Sequence, residues 1–361
     1  MDLVSITETV NFKNPIYGEG VLTEGRTYYT YSQFARETAR RGLGRIIEKN
    51  GLAVTHFRPS HLSGPESIKK ILLMFAGGLG DAVTIGTVLP EVMRKHSIAF
   101  DICGDRIKWD AIFKPMGLDA EYVPYPPDME TLSHYDAVLT DVSEFFHSND
   151  GLKSSPIIQL CRGLGVNSQD LMPSYQIPED MRNRLTLFPA DRVRIGVNFD
   201  SNGLVKSYPE RLQRILLQGL RRVGFDVYVL GVRRDQQERY DSGGIQDLRS
   251  KTTIPELSAI LRHMDIVLGV DSFIIHLANL LGVSTTVLLS TTTPAYFEWH
   301  EHITCLASML GCAPCFEVFN ECPRGYPECH AFYHESIRPE IILRFVVKKV
   351  AALYSDVQTS C

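Results

Sequence analysis

Long apolar runs are missing from this 361-residue chain. None approaches the roughly 20 residues a helix needs to cross a bilayer. The N-terminus, "MDLVSITETVNFKN", has neither the basic start nor the apolar stretch of a secretory leader, so a cytoplasmic protein is expected. An excess of positive charge is missing too: 37 Lys and Arg stand against 42 Asp and Glu, for a net charge of −5. Such a balance gives no general attraction to phosphate backbones and, a local basic groove aside, disfavours nucleic acid as the main ligand. There is no clear D-x-D motif to present a divalent metal to a diphosphate, no low-complexity segment and no internal sequence repeat. What remains is an ordinary globular composition, 44% hydrophobic and 22% charged, long enough for two domains with a small addition.

Residues 1–66 read as a small strand-and-helix domain. "SITETVNF" alternates apolar and polar positions, "NPIYGEG" carries turn residues, "YSQFARETARRG" has helical spacing and "GRIIEKNG" offers one further strand. "RPSHLSGPES" is a linker. From residue 67 to about 180, apolar strands ("IKKILLMFA", "IAFDICG", "YDAVLTD") alternate with helices. The pattern restarts near Arg192 and runs through residues 181–361, with strands "VRIGVNF", "FDVYVLG", "DIVLGVD" and "STTVLLS", and "IPEDMRNRLTLFPADR" as the bridge. A last apolar helix, "PEIILRFVVKKVAALYS", is suited to packing back across the domain boundary. Apolar strands alternating with helices imply parallel sheets covered on both faces. The expected fold is therefore α/β, two doubly wound Rossmann-like domains facing a cleft, since ligands of such sheets bind outside the carboxyl ends of the strands.

"FAGGLGDAV" (75–83) joins the first of these strands to a helix. Gly78, Gly80 and Val83 fall one glycine short of the dinucleotide fingerprint, and Asp101 or Asp105 would be its ribose partner. Asp81, at the helix start, has two other uses. It can cap the helix, or it can take a proton from a hydroxyl as a general base, and a carboxylate at a helix N-terminus tends to stay ionised. In the second domain, Asp271 ends a strand, Ser272 can cap the next helix and His276 falls on its first turns. The free N–H groups of that helix start suit a diphosphate. "STTTP" (290–294) adds hydroxyl donors, among them Thr292 and Thr293. Taken one at a time, Asp271 and Ser272 also read as plain caps, His276 as a core histidine and Lys206 as a surface charge.

"VDSFIIHLANLLG" followed by "STTTP" resembles the signature of glycosyltransferase family 9, the ADP-heptose:lipopolysaccharide heptosyltransferases, with Asp271, Ser272, His276, Leu277, Ala278, Gly282, Thr293 and Pro294 in register. Gly80-Asp81 and Leu89-Pro90 match the family's first-domain motif, and "VNFDSNGLVKSYPERLQRIL" its second-domain lysine segment. The resemblance covers about residues 70–345. It implies a GT-B fold, Asp81 as catalytic base, Lys206 as the cation that neutralises the donor phosphate, and an inverting transfer that needs no divalent metal. The resemblance further implies a nucleotide-diphosphate sugar as donor, with ADP as the nucleotide, and as acceptor a hydroxyl on a glycan, protein or other macromolecule. Gly80, Lys206, Asp271, Ser272, His276, Thr292 and Thr293 are the expected donor and phosphate contacts. Phe273 and Ser290 stand where the family usually has glycine. Two further readings are a nucleotide-sugar-binding or scaffold protein that has lost transfer, and an NAD(P)-dependent oxidoreductase. A homo-oligomer is compatible with this reading.

Of the eight cysteines, four crowd into eighteen residues as C-x2-C-x6-C-x6-C: Cys312, Cys315, Cys322 and Cys329. A disulfide framework is out of place in a cytoplasmic protein, whereas four thiolates on a Pro/Gly-punctuated segment suit a tetrahedral structural ion, zinc by default or iron. His330 is a substitute ligand. Some protein-modifying members of the resembled group carry cysteine-bound iron, and this segment is loosely similar to that arrangement.

Overall fold

The computed structural model describes residues 1–14, 16, 18–47, 68–140, 154–182, 192–233, 239–241, 243–316 and 321–359. The linker expected at 58–67 and much of the bridge after residue 182 lie outside them. The chain divides into two compact units, the first of Met1–Ser148 with Ile157–Pro173, the second of Asn149–Pro156 with Ser174–Cys361.

In the first unit, strands β1 (Asp2–Ile6), β4 (Thr27–Thr30) and β5 (Gly44–Ile47) form an antiparallel sheet in the order β4-β1-β5, with the hairpin of β2 (Val10–Asn14) and β3 (Gly18–Leu22) and helix α1 (Ser32–Arg40). "SITETVNF" is thus two strands and not one. The chain turns at Thr7–Thr9, where the Thr7 N–H donates to Leu43 O and Thr9 Oγ1 accepts from Glu24 N–H. Behind this layer stands a four-stranded parallel sheet, β8-β7-β6-β9, of β6 (Lys70–Phe75), β7 (Ala99–Gly104), β8 (Tyr122–Pro124) and β9 (Ala137–Leu139). Side chains alternate across a strand. Leu72 and Met74 accordingly turn one way, into a shared core with Leu3, Val4, Tyr29, Phe34, Cys103 and Val138, and Phe75 turns the other way, edge-on to Phe113. The Tyr31 hydroxyl, just before α1, lies 2.8 Å from Met74 O and 2.9 Å from Thr140 O, tying the N-terminal layer to the ends of β6 and β9.

The second unit is a six-stranded parallel sheet in the order β12-β11-β10-β13-β14-β15. Its strands are β10 (Arg194–Asn198), β11 (Asp226–Val229), β12 (Ile245–Asp247), β13 (Ile266–Val270), β14 (Thr285–Leu289) and β15 (Ile303–Ala307). One face packs on Leu212, Leu216, Leu217 and Leu220 of an amphipathic helix (Glu210–Val223) and on Ile342, Val346 and Val350 of the C-terminal helix (Pro339–Thr359). The other face packs on Leu257 and Leu261 (helix Ile254–Arg262) and on Ile275, Leu277 and Ala278 (helix Phe273–Leu280). β13 and β14 are buried along their whole length, which is why they read as unbroken apolar runs. The C-terminal helix packs against the Glu210–Val223 helix inside its own unit.

Leu216 has no exposed surface and sits at the centre of the first of these cores. Leu216→Ala is expected to cost about 2–5 kcal/mol through lost burial and the cavity left behind. Arg222→Ala, on the exposed side of the same helix, should stay within about 0.5 kcal/mol of wild type; urea unfolding of both variants checks this.

Candidate active site

The turn after β6 is built around glycine. A Cβ at Gly77 would fall 2.6 Å from the Phe75 ring and 2.9 Å from Asp81 Cβ, so only glycine lets the chain pass between them. The helix Leu79–His96 then starts at Gly78, whose N–H donates to Asp81 Oδ2 at 2.7 Å. Asp81 therefore caps the helix with one oxygen while its side chain stays exposed, and the two uses foreseen for it are compatible. Gly80 lies in the first helical turn, its carbonyl accepting from Thr84 Oγ1 at 3.2 Å.

A residue that the sequence did not single out stands beside this turn. Lys108 is buried, its ammonium 5.6 Å from the Phe75 ring centre and 3.2 Å from Ile16 O of the N-terminal hairpin turn. Burial pushes its pKa down, while the charges of Asp105 and Asp81 oppose that shift. The acids proposed as ribose partners are already engaged. Asp101, buried within β7, accepts from Glu121 N–H at 2.8 Å and the Tyr135 hydroxyl at 2.8 Å, and pairs with Lys70 at 2.9 Å. Asp105 accepts from Ile107 N–H at 2.9 Å. Asp101, buried and triply engaged, is closed to a dinucleotide's ribose hydroxyls.

In the second unit, the carboxyl ends of β10, β13 and β14 gather one polar cluster. Lys206, on a short turn after β10, places Nζ 2.7 Å from Asp271 Oδ2, with both side chains largely buried. His276 Nε2 lies 3.9 Å from the other carboxylate oxygen. Ser272 does not cap its helix as expected. Its hydroxyl donates to Asn198 Oδ1 at 2.6 Å, and no side chain caps the first turn of Phe273–Leu280. Asn198 is held in turn by its amide donating to Leu230 O at 3.2 Å. Phe273 packs against the apolar cluster below. The Thr292 and Thr293 hydroxyls are buried and have no hydrogen-bond partner among the described residues. Buried polar atoms are normally satisfied, and these two hydroxyls follow β14 at the same edge as Lys206 and Asp271. Ser290 Oγ donates to Val205 O at 3.2 Å, joining that segment to the Lys206 turn. Lys206, Asp271, Ser272, His276, Thr292 and Thr293 thus all lie at one edge of one sheet. Asn198 and His300, whose Nε2 is 3.2 Å from His276 Nδ1, complete the cluster unforeseen.

Among the described residues the cysteines are free thiols. Cys312, Cys315, Cys322 and Cys329 line a single pocket with Val205, Ser290 and His330. Burial raises the Cys329 pKa, and the nearby Cys315 and Cys312 raise it further. Among the described residues, no three His, Cys, Asp or Glu side chains are arranged to hold a metal ion. The pocket gathers the thiols without closing them into a coordination shell.

Two parallel α/β sheets, one with a polar cluster at its carboxyl edge, are the larger sheets of the described fold. Residues 155–323 match the model of glycosyltransferase family 9 (heptosyltransferase). Asp81 lies outside the matched segment. Three solved structures share the fold. Escherichia coli ADP-heptose lipopolysaccharide heptosyltransferase II is 13% identical, with 79% of this chain and 99% of that one covered, at a TM-score of 0.59. The iron-containing dodecameric glycosyltransferase TibC of enterotoxigenic E. coli is 13% identical, with 93% and 87% covered, at 0.61. A family 9 glycosyl transferase from Veillonella parvula is 15% identical, with 79% and 97% covered, at 0.57. No curated protein matches the chain in sequence. No helix among the described residues is long and apolar enough to cross a membrane.

The buried His300 makes this cluster acid-sensitive. Burial, aided by the neighbouring His276, lowers its pKa to about 3. In the unfolded chain it titrates near the ordinary value of 6.5. Below that pH only the unfolded state takes up the proton, so stability is lost as pH falls from 6.5 towards 3. The loss is about 2 kcal/mol by pH 5 from this group. Urea unfolding at pH 7 and pH 5 should show this fall in the wild type and a shallower one in His300→Phe.

Proposed function

We propose that this chain is an inverting glycosyltransferase that moves a sugar, heptose or a related one, from an ADP-linked donor to an acceptor hydroxyl. The observation that carries the donor assignment is the Lys206–Asp271 pair beside the orphaned Thr292 and Thr293 hydroxyls. Lys206 neutralises the diphosphate, the uncapped helix start after Ser272 donates its N–H groups, and the two threonines supply neutral donors. These groups sit where negative charge develops as the diphosphate departs, and there preorganised donors act most strongly. That TibC has been seen in complex with ADP-D-beta-D-heptose supports an ADP-linked heptose as the first donor to try. No divalent metal takes part in neutralising the leaving group.

Asp81 is the general base. Its capping bond to Gly78 orients the carboxylate, and its exposure leaves an oxygen for the acceptor hydroxyl. The proton goes to Asp81, the acceptor oxygen attacks the anomeric carbon from the face opposite the diphosphate, and the configuration inverts. Asp81→Asn keeps the shape and removes the base. General-base catalysis contributes about 10²–10⁴-fold, so ADP release from ADP-heptose in the presence of acceptor should drop by that order with the unfolding temperature unchanged. Near wild-type turnover in Asp81→Asn would remove the assignment.

The cysteine pocket is proposed to hold a structural zinc or iron, and its donor set suits both. Four thiols line one pocket, with His330 beside them. An ion there would fasten the 312–331 segment, which also reaches the donor edge: the Phe316 N–H donates to Thr291 O at 2.8 Å. Elemental analysis should find about one zinc or iron per chain, lost together with thermal stability in Cys312→Ser. Protein free of both metals and equally stable in the two forms would overturn the site.

A further inference from the structure

His276 and His300 are both buried, and both belong to the second unit's polar cluster. Their facing nitrogens are 3.2 Å apart, a distance at which one proton must lie between them. Whichever ring supplies it, the tautomer of one histidine dictates that of the other. Phe297 closes the arrangement from the side, its ring stacked on His276 at 5.5 Å and 22° and a further 5.5 Å from His300. His276 has little rotational freedom left, and its second nitrogen is directed towards Asp271. A leucine or phenylalanine at position 300 would fill the same space without burying an imidazole. The retained polar ring is therefore accounted for by the hydrogen bond and not by packing.

We propose that His300 is a positioning residue of the donor-phosphate site: through its hydrogen bond it sets the rotation and tautomer of His276, and with them the nitrogen that His276 presents beside Asp271 and Lys206. The proposal rests on the assignment of the donor diphosphate to this cluster. His300 touches no substrate itself and acts through His276.

Calorimetric titration with ADP tests it on five full-length variants: His300→Phe, His300→Gln, His276→Gln, the His276→Gln/His300→Phe double and Lys206→Met. His300→Phe keeps a flat ring and loses the hydrogen bond. It should bind ADP about five-fold more weakly, the size of one hydrogen bond's net contribution. The same variant should raise the KM for donor and leave the KM for acceptor unchanged. His300→Gln, which still offers an amide to His276, should stay within about two-fold of wild type. In combination with His276→Gln, His300→Phe should add no further loss, because the partner it positions is gone. Wild-type ADP affinity in His300→Phe, equal losses in His300→Phe and His300→Gln, or additive losses in the double variant would each overturn the proposal. Lys206→Met separates it from the assignment beneath it. If Lys206→Met loses ADP binding while His300→Phe does not, only the positioning role fails. If Lys206→Met binds ADP like wild type, the donor site itself is misplaced.

Discussion

The contact between Lys206 and Asp271, 2.7 Å between two largely buried side chains, is the interaction around which the second unit's functional edge is organised. Neither charge could be left there alone. A buried ammonium or carboxylate without its partner is strongly destabilising, and the pair itself gains little over apolar residues of the same size. Retaining it makes more sense as chemistry than as stability. Asp271 holds Lys206 in place, and the proposed diphosphate donor would meet a cation already oriented and partly desolvated.

The fold brings these groups together without strain. In a parallel sheet the carboxyl ends of all the strands lie on one edge. The segments that follow β10, β13 and β14 therefore deliver Asn198 and Lys206, Asp271 to His276, and Ser290 to Thr293 to the same place, although Lys206 and Asp271 are 65 residues apart in sequence. The cysteine pocket shares Val205 and Ser290 with that edge. The first unit repeats the principle more simply: Asp81 and Lys108 follow the ends of adjacent strands β6 and β7, and the hairpin turn at Ile16 reaches the same spot through a single hydrogen bond.

Much of this was legible beforehand because buried parallel strands announce themselves. β6, β10, β13 and β14 are apolar runs between helical periods. "YVP" (β8) and "IQD" (β12) are too short and too mixed to be distinguished from loop, and β15 passed unnoticed in a stretch without a strong pattern. The candidate donor residues were visible through the family's spacing, and the pairing of Lys206 with Asp271 was not, since no local pattern reports a contact between distant loops. Ser272 shows the limit of local reasoning: a serine before a helix reads as a cap, and its hydroxyl went to Asn198 because a tertiary partner outcompeted the backbone. His300 lies in "FEWHEH", which reads as a polar surface stretch, and only the packing of Phe297 and His276 reveals it as buried. Lys108 likewise reads as an ordinary surface lysine until the Ile16 carbonyl appears beside it.

The proposed reaction is an inverting displacement at the anomeric carbon with Asp81 as general base. The anomeric configuration of the glycosylated product, read by proton NMR after transfer from ADP-heptose of known configuration, tests it most directly. Attack opposite the leaving diphosphate gives a product of the opposite configuration to the donor; a product that retains the donor's configuration would contradict this mechanism.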